Sequence, residues 1–435
     1  MIKGSFKQKL YICNCLMILL LSLASINVHA QESRLPEAPI FIDENPINTK
    51  YIMREGHLLV PALFLKHTGS LVDWNEQYRS VVFQANDKKF AVPLGKKFTD
   101  DYDRGTGTWK RGTISTEAIE FNGTAFVPIL DVAKKLGMNV RYDPEINRTF
   151  ITTNLSIKPN IIEQATTAKK LVALTFDDGP ENYYTPMILD ILKEKAVPAT
   201  FFVVGRQITR FPEVMKRIVN EGHGIANHSW RHPDLRYTWS SKVREEIQST
   251  QQEMQKVVGR KPDVFRPPYG ALTKADIRVL NEIGMRNIMW SVDTLDWSGL
   301  SGDEIVKIVH EQISPGGIVL QHNFQSNVRL LDGTVEALPR IIDDLQKQGY
   351  KFVTVQTLLA KQKEEQLKAE QPQEDQPSEE QPIENQPTKE QPTEDQPQED
   401  QPSEEQPIEN QPIEEQPTED PPQEGQPSEE QPIEN

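Results

Sequence analysis

From Gln371 to Asn435 proline recurs at every fifth position, in thirteen consecutive pentapeptides of the form Gln-Pro-x-Glu/Lys-x, the eleventh opening with Pro421-Pro422. Proline removes a backbone donor and clashes with a preceding helical turn, and almost no apolar side chains stand between the prolines to be buried. This segment is expected to be an extended, disordered spacer, so any folding falls to the residues before it. It also holds most of the charge. The 435-residue chain has a formal net charge of -16, whereas the repeats carry 21 acidic residues against the single Lys389, which leaves residues 31 to 370 nearly neutral. A near-neutral body lacks the phosphate-neutralising surface that nucleic-acid binding needs, so nucleic acid is not an expected partner. The acidic tail is placed at 363–435, with the Lys-, Glu- and Gln-rich stretch from Lys361 to Glu370 continuing the last helix before it.

The other end of the chain points to export. Lys3, Lys7 and Lys9 precede an apolar run from Leu10 to about Ile26, and compact residues end at Val28-His29-Ala30. This order is that of a secretory signal peptide over residues 1–30, and the run is too short and too interrupted by Asn14 for a stable membrane span after processing. A secreted or cell-surface location, associated with the cell wall, follows as the expectation. Cys13 and Cys15, the two cysteines of the chain, both lie in this segment. The mature protein would therefore have neither disulfides nor thiolate ligands, and a bound metal would be held by His, Asp or Glu.

Residues 40–155 contain a weak internal repeat. His57 to Gln84 matches Thr124 to Thr152 in order: an apolar run with Val-Pro, an amphipathic helix, Gly, a strand ending in an aromatic, a turn and a second strand. Val60-Pro61 corresponds to Val127-Pro128, Gly69 to Gly137, and Trp74-Asn75 to Tyr142-Asp143. Two such units make a small α+β module able to bury its own face. The pattern resembles the copper amine oxidase N-terminal-like module of bacterial surface proteins. His57 and His67 are its only histidines and it has no cysteine, so the resemblance implies a wall-binding or spacer role rather than copper chemistry.

From residue 168 to 362 the rhythm changes to strand and helix in alternation. Strands are expected at Val172–Phe176, Ala199–Val204, Gly224–Asn227, Val264–Arg266, Ile288–Val292, Ile318–Gln321 and Phe352–Val355, with helices such as Lys242–Val258 and Lys274–Ile283 between them. Repeated units of this length imply a parallel sheet. About seven strands without a glycine-rich phosphate loop favour an α/β fold of the distorted (β/α) barrel type, in which chemistry sits at the C-terminal strand ends.

Five segments near those ends hold nearly all the reactive side chains: Thr175-Phe-Asp177-Asp178-Gly179-Pro180, His228-Ser-Trp-Arg-His232, Arg266-Pro-Pro-Tyr269-Gly270, Asp293-Thr-Leu-Asp296-Trp297 and Leu320-Gln-His322. Histidines four apart can share one side of a helical turn, and a carboxylate beside them completes a two-His, one-carboxylate site with positions open for water and substrate. The residues alone leave open which of Asp177 and Asp178 is the ligand. In order and spacing the five segments resemble the carbohydrate esterase family 4 polysaccharide deacetylases, the NodB homology domain, over about 190 residues. The resemblance implies Asp178, His228 and His232 as ligands of a divalent cation, zinc with cobalt or manganese as substitutes. It also implies Asp177 as the base acting on water, Arg266 as its cationic partner, His322 as the acid that protonates the leaving amine and Asp293 as the carboxylate that tunes His322. Tyr269, through its backbone N–H, would hold the oxyanion, and Trp297 and Leu320 would wall the acetyl pocket. His223 and His310 match no motif and are read as structural.

Hydrolysis of an N-acetyl group needs an attacking water, a stabilised oxyanion and a proton for the amine. A zinc-like ion lowers the pKa of bound water by roughly nine units, about 12 kcal/mol, against a factor of about 10² to 10⁴ from a positioned base, so the ion is the larger contributor. The expected substrate is the acetylated amino sugar of peptidoglycan or a chitin-like glycan. Two alternatives stand beside it: an O-acetyl esterase acting on a glycan such as xylan, which the same residues could serve, and a non-catalytic glycan-binding protein, which predicts loss of at least one of Asp177, Asp178, His228, His232 or His322, none of which is lost.

Overall fold

The computed structural model describes residues 35–325 and 329–370. The signal peptide, both cysteines and the repeats beyond residue 370 lie outside the described residues. Among the described residues no helix is long and apolar enough to cross a membrane.

The two copies of the sequence repeat fold alike. The first runs from the strand His57–Pro61 through a 3₁₀ helix at Ala62–Thr68 to the hairpin Leu71–Asn75 and Ser80–Ala85. The second runs from Thr124–Pro128 through the α-helix Ile129–Lys135 to the hairpin Asn139–Asp143 and Arg148–Thr152. Their first strands pair antiparallel with Val60 opposite Val127, so the two Val-Pro steps meet at the centre of the module. Gly69 (φ 89°) and Gly137 (φ 78°) end the two helices in the left-handed region, where a side chain would be strained. One difference is that the first helix is 3₁₀ rather than amphipathic α. The Thr68 hydroxyl donates to Leu65 O at 2.6 Å and Gly69 N to Lys66 O at 3.0 Å, and both bonds close three-residue turns. The repeat pattern also gave no sign of three strands between the copies, Lys88–Pro93, Phe98–Asp103 and Thr108–Thr113, which extend the first hairpin to a five-stranded sheet.

Beyond residue 170 the chain forms an open α/β barrel whose strands are labelled here β1 (Leu171–Asp177), β2 (Thr200–Val203), β3 (Gly224–Asn227), β4 (Val264–Phe265), β5 (Arg286–Asn287), β6 (Val292–Asp293), β7 (Gly317–His322) and β8 (Lys351–Phe352). The order is β5-β4-β3-β2-β1-β7-β6 with β8 beside the start of β1, and every pair is parallel. Alternation sets the two faces. On β1 the side chains of Val172, Leu174 and Phe176 join the cluster under the helices, while Leu171 and Ala173 join the barrel interior. Thr175 and Asp177 continue that inner face to the C-terminal end. Ile318 leads in the same way to Leu320 and His322 on β7.

The single strand expected at Ile288–Val292 is instead two, β5 and β6, on opposite edges of the opening. The reason is local. The carbonyls of Ile288 and Met289 accept from the Arg266 guanidinium at 3.1 and 2.8 Å, and the N–H of Met289 donates to Ile162 O at 2.8 Å, which diverts this stretch from a strand neighbour. The final helix runs through Glu370, so residues 363–370, counted above with the tail, are helical. They precede the first proline of the repeats.

Candidate active site

All five motifs leave the same, C-terminal, ends of barrel strands. Asp177 closes β1 and is register partner of His322, which closes β7. His228 and Arg266 directly follow β3 and β4, and Asp293 closes β6. Asp178 (φ 81°), Ser229 (φ 66°), His232 (φ 63°), Tyr269 (φ 59°) and Leu295 (φ 54°) occupy the left-handed region without being glycine, a cost that a framework accepts where side chains must be aimed. His228 and His232 are accordingly not on a helical turn, as their spacing suggested. They lie in an irregular loop containing two of these residues, which brings their rings to 4.9 Å.

Asp178, His228 and His232 offer one ligand atom each within 4.8 Å of one another. His228 Nδ1 lies 2.8 Å from Arg266 O, an atom that only accepts, so Nδ1 carries the proton and Nε2 presents a lone pair. That Nε2 faces Asp178 Oδ1 at 3.3 Å, and His232 Nε2 faces the same oxygen at 3.1 Å. Among the described residues no hydrogen-bond donor meets the buried Asp178 Oδ1. Lone pairs converging on a donor-free carboxylate oxygen are the donor set of a cation site, and the residues fit a divalent ion of the zinc type.

Asp177 is paired with Arg266 through Oδ1 and Nη1 at 2.8 Å, with both side chains almost fully buried. Arg266 is tied on every side, to Thr175 Oγ1 at 2.9 Å, to the carbonyls of Ile288 and Met289, and over the Phe202 ring at 4.0 Å. Burial lowers its pKa while Asp177 and Asp293 oppose the shift.

The carboxylate assigned to His322 is corrected by the geometry. Asp296, not Asp293, lies against the ring, with Oδ1 2.7 Å from Nδ1. Asp293 points with Leu320 into the barrel, since the two are register partners, and its Oδ1 accepts from Leu295 N at 3.0 Å. The turn at Leu295 carries the chain over His322 and delivers Asp296 three residues later. Burial alone would lower the His322 pKa, but the charge of Asp296, with its hydrogen bond and the charges of Asp178 and Asp177, raises it to about 9.

Tyr269 stands beside the site, its ring 4.6 Å from His232 and largely exposed. Trp297 is half exposed on the turn that carries Asp296, whereas Leu320 is buried beneath His322 on the same face of β7. His223 accepts from Ala199 N at 3.2 Å and His310 lies 3.5 Å from Asp344, both away from the site residues.

Comparison with known proteins bears on the whole arrangement. The polysaccharide deacetylase profile matches residues 164–288, and that of the copper amine oxidase N-terminal domain residues 41–152. A peptidoglycan-N-acetylglucosamine deacetylase of Bacillus cereus is 41% identical over 196 residues, spanning 45% of this chain and 70% of the relative. The chain belongs to the polysaccharide deacetylase family. It is a polysaccharide N-deacetylase. The peptidoglycan-N-acetylmuramic acid deacetylase PdaA of Bacillus subtilis is 35% identical over 201 residues, 44% of this chain and 73% of the relative. A solved structure of the Bc1960 peptidoglycan N-acetylglucosamine deacetylase has 38% identity, covers 46% of this chain and 92% of its own, and superposes with a TM-score of 0.45.

In this deacetylase the motif reading missed several supports. Besides Asp296 they are Thr175, which shares Arg266 with Asp177, and Glu246, which accepts from Trp230 N and Arg231 N at 2.9 and 2.7 Å and so steadies the loop between the histidines. Glu246 lies on the buried face of its helix with Val243, Ile247, Thr250 and Met254, and a lone acid in such a stripe does not say in the sequence which N–H groups it will meet. Asp296 did carry a sequence signal, because it stands in the same motif as Asp293.

Proposed function

We propose that this deacetylase removes N-acetyl groups from the amino sugars of peptidoglycan at the cell surface, using a divalent cation held by Asp178, His228 and His232. The observation that carries the reading is the convergence of these three ligands beside Asp177 and His322 on neighbouring strand ends. When bound, the cation supplies Lewis acidity toward the acetyl oxygen and acidifies water. Asp177, fixed by Arg266, takes the proton of the attacking water. The backbone N–H of Tyr269 shares in holding the oxyanion. His322, kept cationic by Asp296, gives its proton to the departing amine. Asp293 contributes negative charge beside Arg266. Leu320 and Trp297 wall the acetyl group.

A polymeric substrate is supported by the rim. Tyr269, whose ring stands beside His232, and Trp297, next to Asp296, are exposed aromatics at the site. Flat, half-wet rings around a polar centre suit stacking against sugar faces. The relatives from B. cereus and B. subtilis are named as deacetylases of peptidoglycan. The expected export signal and the module at residues 40–155 suit a wall-associated enzyme.

Acetate release from peptidoglycan, chitooligosaccharide and acetylated xylan, measured side by side with and without a chelator, tests the proposal. Release from peptidoglycan should dominate, vanish with chelator and return with zinc or cobalt. Turnover unchanged in excess chelator, or preference for xylan, would reject it.

A further inference from the structure

Lys66 belongs to the 3₁₀ helix of the N-terminal module, yet its side chain is buried against the barrel domain. Its ammonium lies 2.7 Å from Asp276 Oδ1, and both side chains are 0% exposed. It also donates to Leu235 O at 2.5 Å and to Thr238 O at 2.7 Å. The ammonium thus makes two hydrogen bonds and faces the Asp276 charge, and all three partners belong to the barrel domain. Desolvating an ion pair is costly and repaid only by good geometry, so simple adhesion between domains would be better served by apolar side chains.

The positions of the acceptors indicate the purpose. Leu235 and Thr238 flank the short 3₁₀ turn Leu235–Tyr237 that directly follows the loop of His228 and His232. Asp276 caps the helix after the Tyr269 loop, its Oδ2 accepting from the Thr273 N–H and hydroxyl at 2.8 and 2.6 Å. The surrounding contacts grip the same region: Val72 N donates to Ser240 Oγ at 3.0 Å, Ser241 N to Asp73 Oδ1 at 2.6 Å, and Trp74 stacks on Trp239 at 6.2 Å.

The two histidines differ in their support. The His228 ring is held by Arg266 O, and the residues after it by Glu246, all within the barrel domain. The backbone of His232 is held on one side by its N–H bond to Ser229 Oγ at 3.0 Å. Its downstream side is the segment that Lys66 grips.

We infer that Lys66 is a positioning residue for the metal-ligand loop: by holding the carbonyls of Leu235 and Thr238 it fixes the chain beyond His232, and the N-terminal module is thereby part of the metal centre. The inference rests on the assignment of Asp178, His228 and His232 as cation ligands. It differs from a wall-binding or spacer role in making the module a requirement of the site itself.

The test is Lys66→Met combined with Asp276→Asn in the full chain. No charge is left unpaired, and the remaining side-chain oxygen at position 276 still accepts from Thr273. The double variant should keep native far-UV circular dichroism while its zinc affinity, read by competition with a chromophoric chelator, falls about tenfold. Amide exchange at Leu235–Thr238 should speed up in the metal-free protein, a readout that does not depend on the cation assignment. Lys66→Gln combined with Asp276→Asn, whose amide at position 66 keeps two N–H donors and again leaves no charge unpaired, is the milder variant and should give an intermediate loss. A folded variant of either kind with native zinc affinity and native exchange at these amides would overturn the inference.

Discussion

The carboxylate of Asp296 receives both polar hydrogens that His322 turns toward it: ring Nδ1–H on Oδ1 at 2.7 Å and backbone N–H on Oδ2 at 2.9 Å. The Thr334 hydroxyl adds a third bond to Oδ2 at 2.8 Å, so Asp296 is fully buried and fully satisfied. One side chain thereby sets the tautomer, the orientation and the charge of its partner.

Asp296→Asn should move the alkaline limb of kcat/KM. The His322 pKa is raised from 6.5 to about 9, so its cation persists through neutral pH and is lost as pH climbs through the raised value. Two of the contributing carboxylates, Asp177 and Asp178, face the cation site, so the limb of the loaded enzyme lies below 9. Without the Asp296 charge it should shift further toward 6.5, whereas Asp293→Asn should leave it nearly in place. A pH–rate profile of the two variants decides between them. The same sign holds for stability: this pair contributes fully below pH 6.5, and the contribution fades as pH rises through the folded-state value.

Arg266→Leu should destabilise the fold by about 3–5 kcal/mol, since it strands a buried carboxylate and two carbonyls at once. Chemical denaturation followed by tryptophan fluorescence reads this directly. A loss under about 1 kcal/mol would mean that water replaces the guanidinium and that its bonds matter little.

Asp177→Asn and His228→Ala should separate chemistry from metal binding. The first should retain zinc, by elemental analysis after dialysis, and lose about 10² to 10⁴ in kcat. The second should lose both. Equal zinc loss in the two variants would make Asp177 a ligand.

Tyr269→Ala should raise KM for long glycan strands more than for a trisaccharide, because its exposed ring stands beside His232 at the edge of the site. Chain-length series of kcat and KM test this, and equal effects at every length would count against a stacking role.

The sequence made the barrel and the convergence of its motifs legible because both follow from short-range pattern: two-residue alternation on β1 and β7, and reactive side chains just past the apolar runs. What escaped depended on backbone paths that pattern does not encode. Asp293 and Asp296 are equivalent on paper, and only the left-handed turn at Leu295 decides which one meets His322. The run from Ile288 to Val292 has strand composition, but the carbonyls of Ile288 and Met289 answer to an arginine 22 and 23 residues earlier in the chain. Lys66 was least visible, since a lysine in an amphipathic segment ordinarily faces water.

That arginine has a wider consequence. Between β5 and β6 the barrel is laced by a guanidinium where a hydrogen-bonded strand would otherwise run, and the same group anchors Asp177. Architecture and reactivity hang there on one side chain. Drift that discards the anchor of Asp177 also unfastens the seam, so change at position 266 should surface first as fragility of the scaffold.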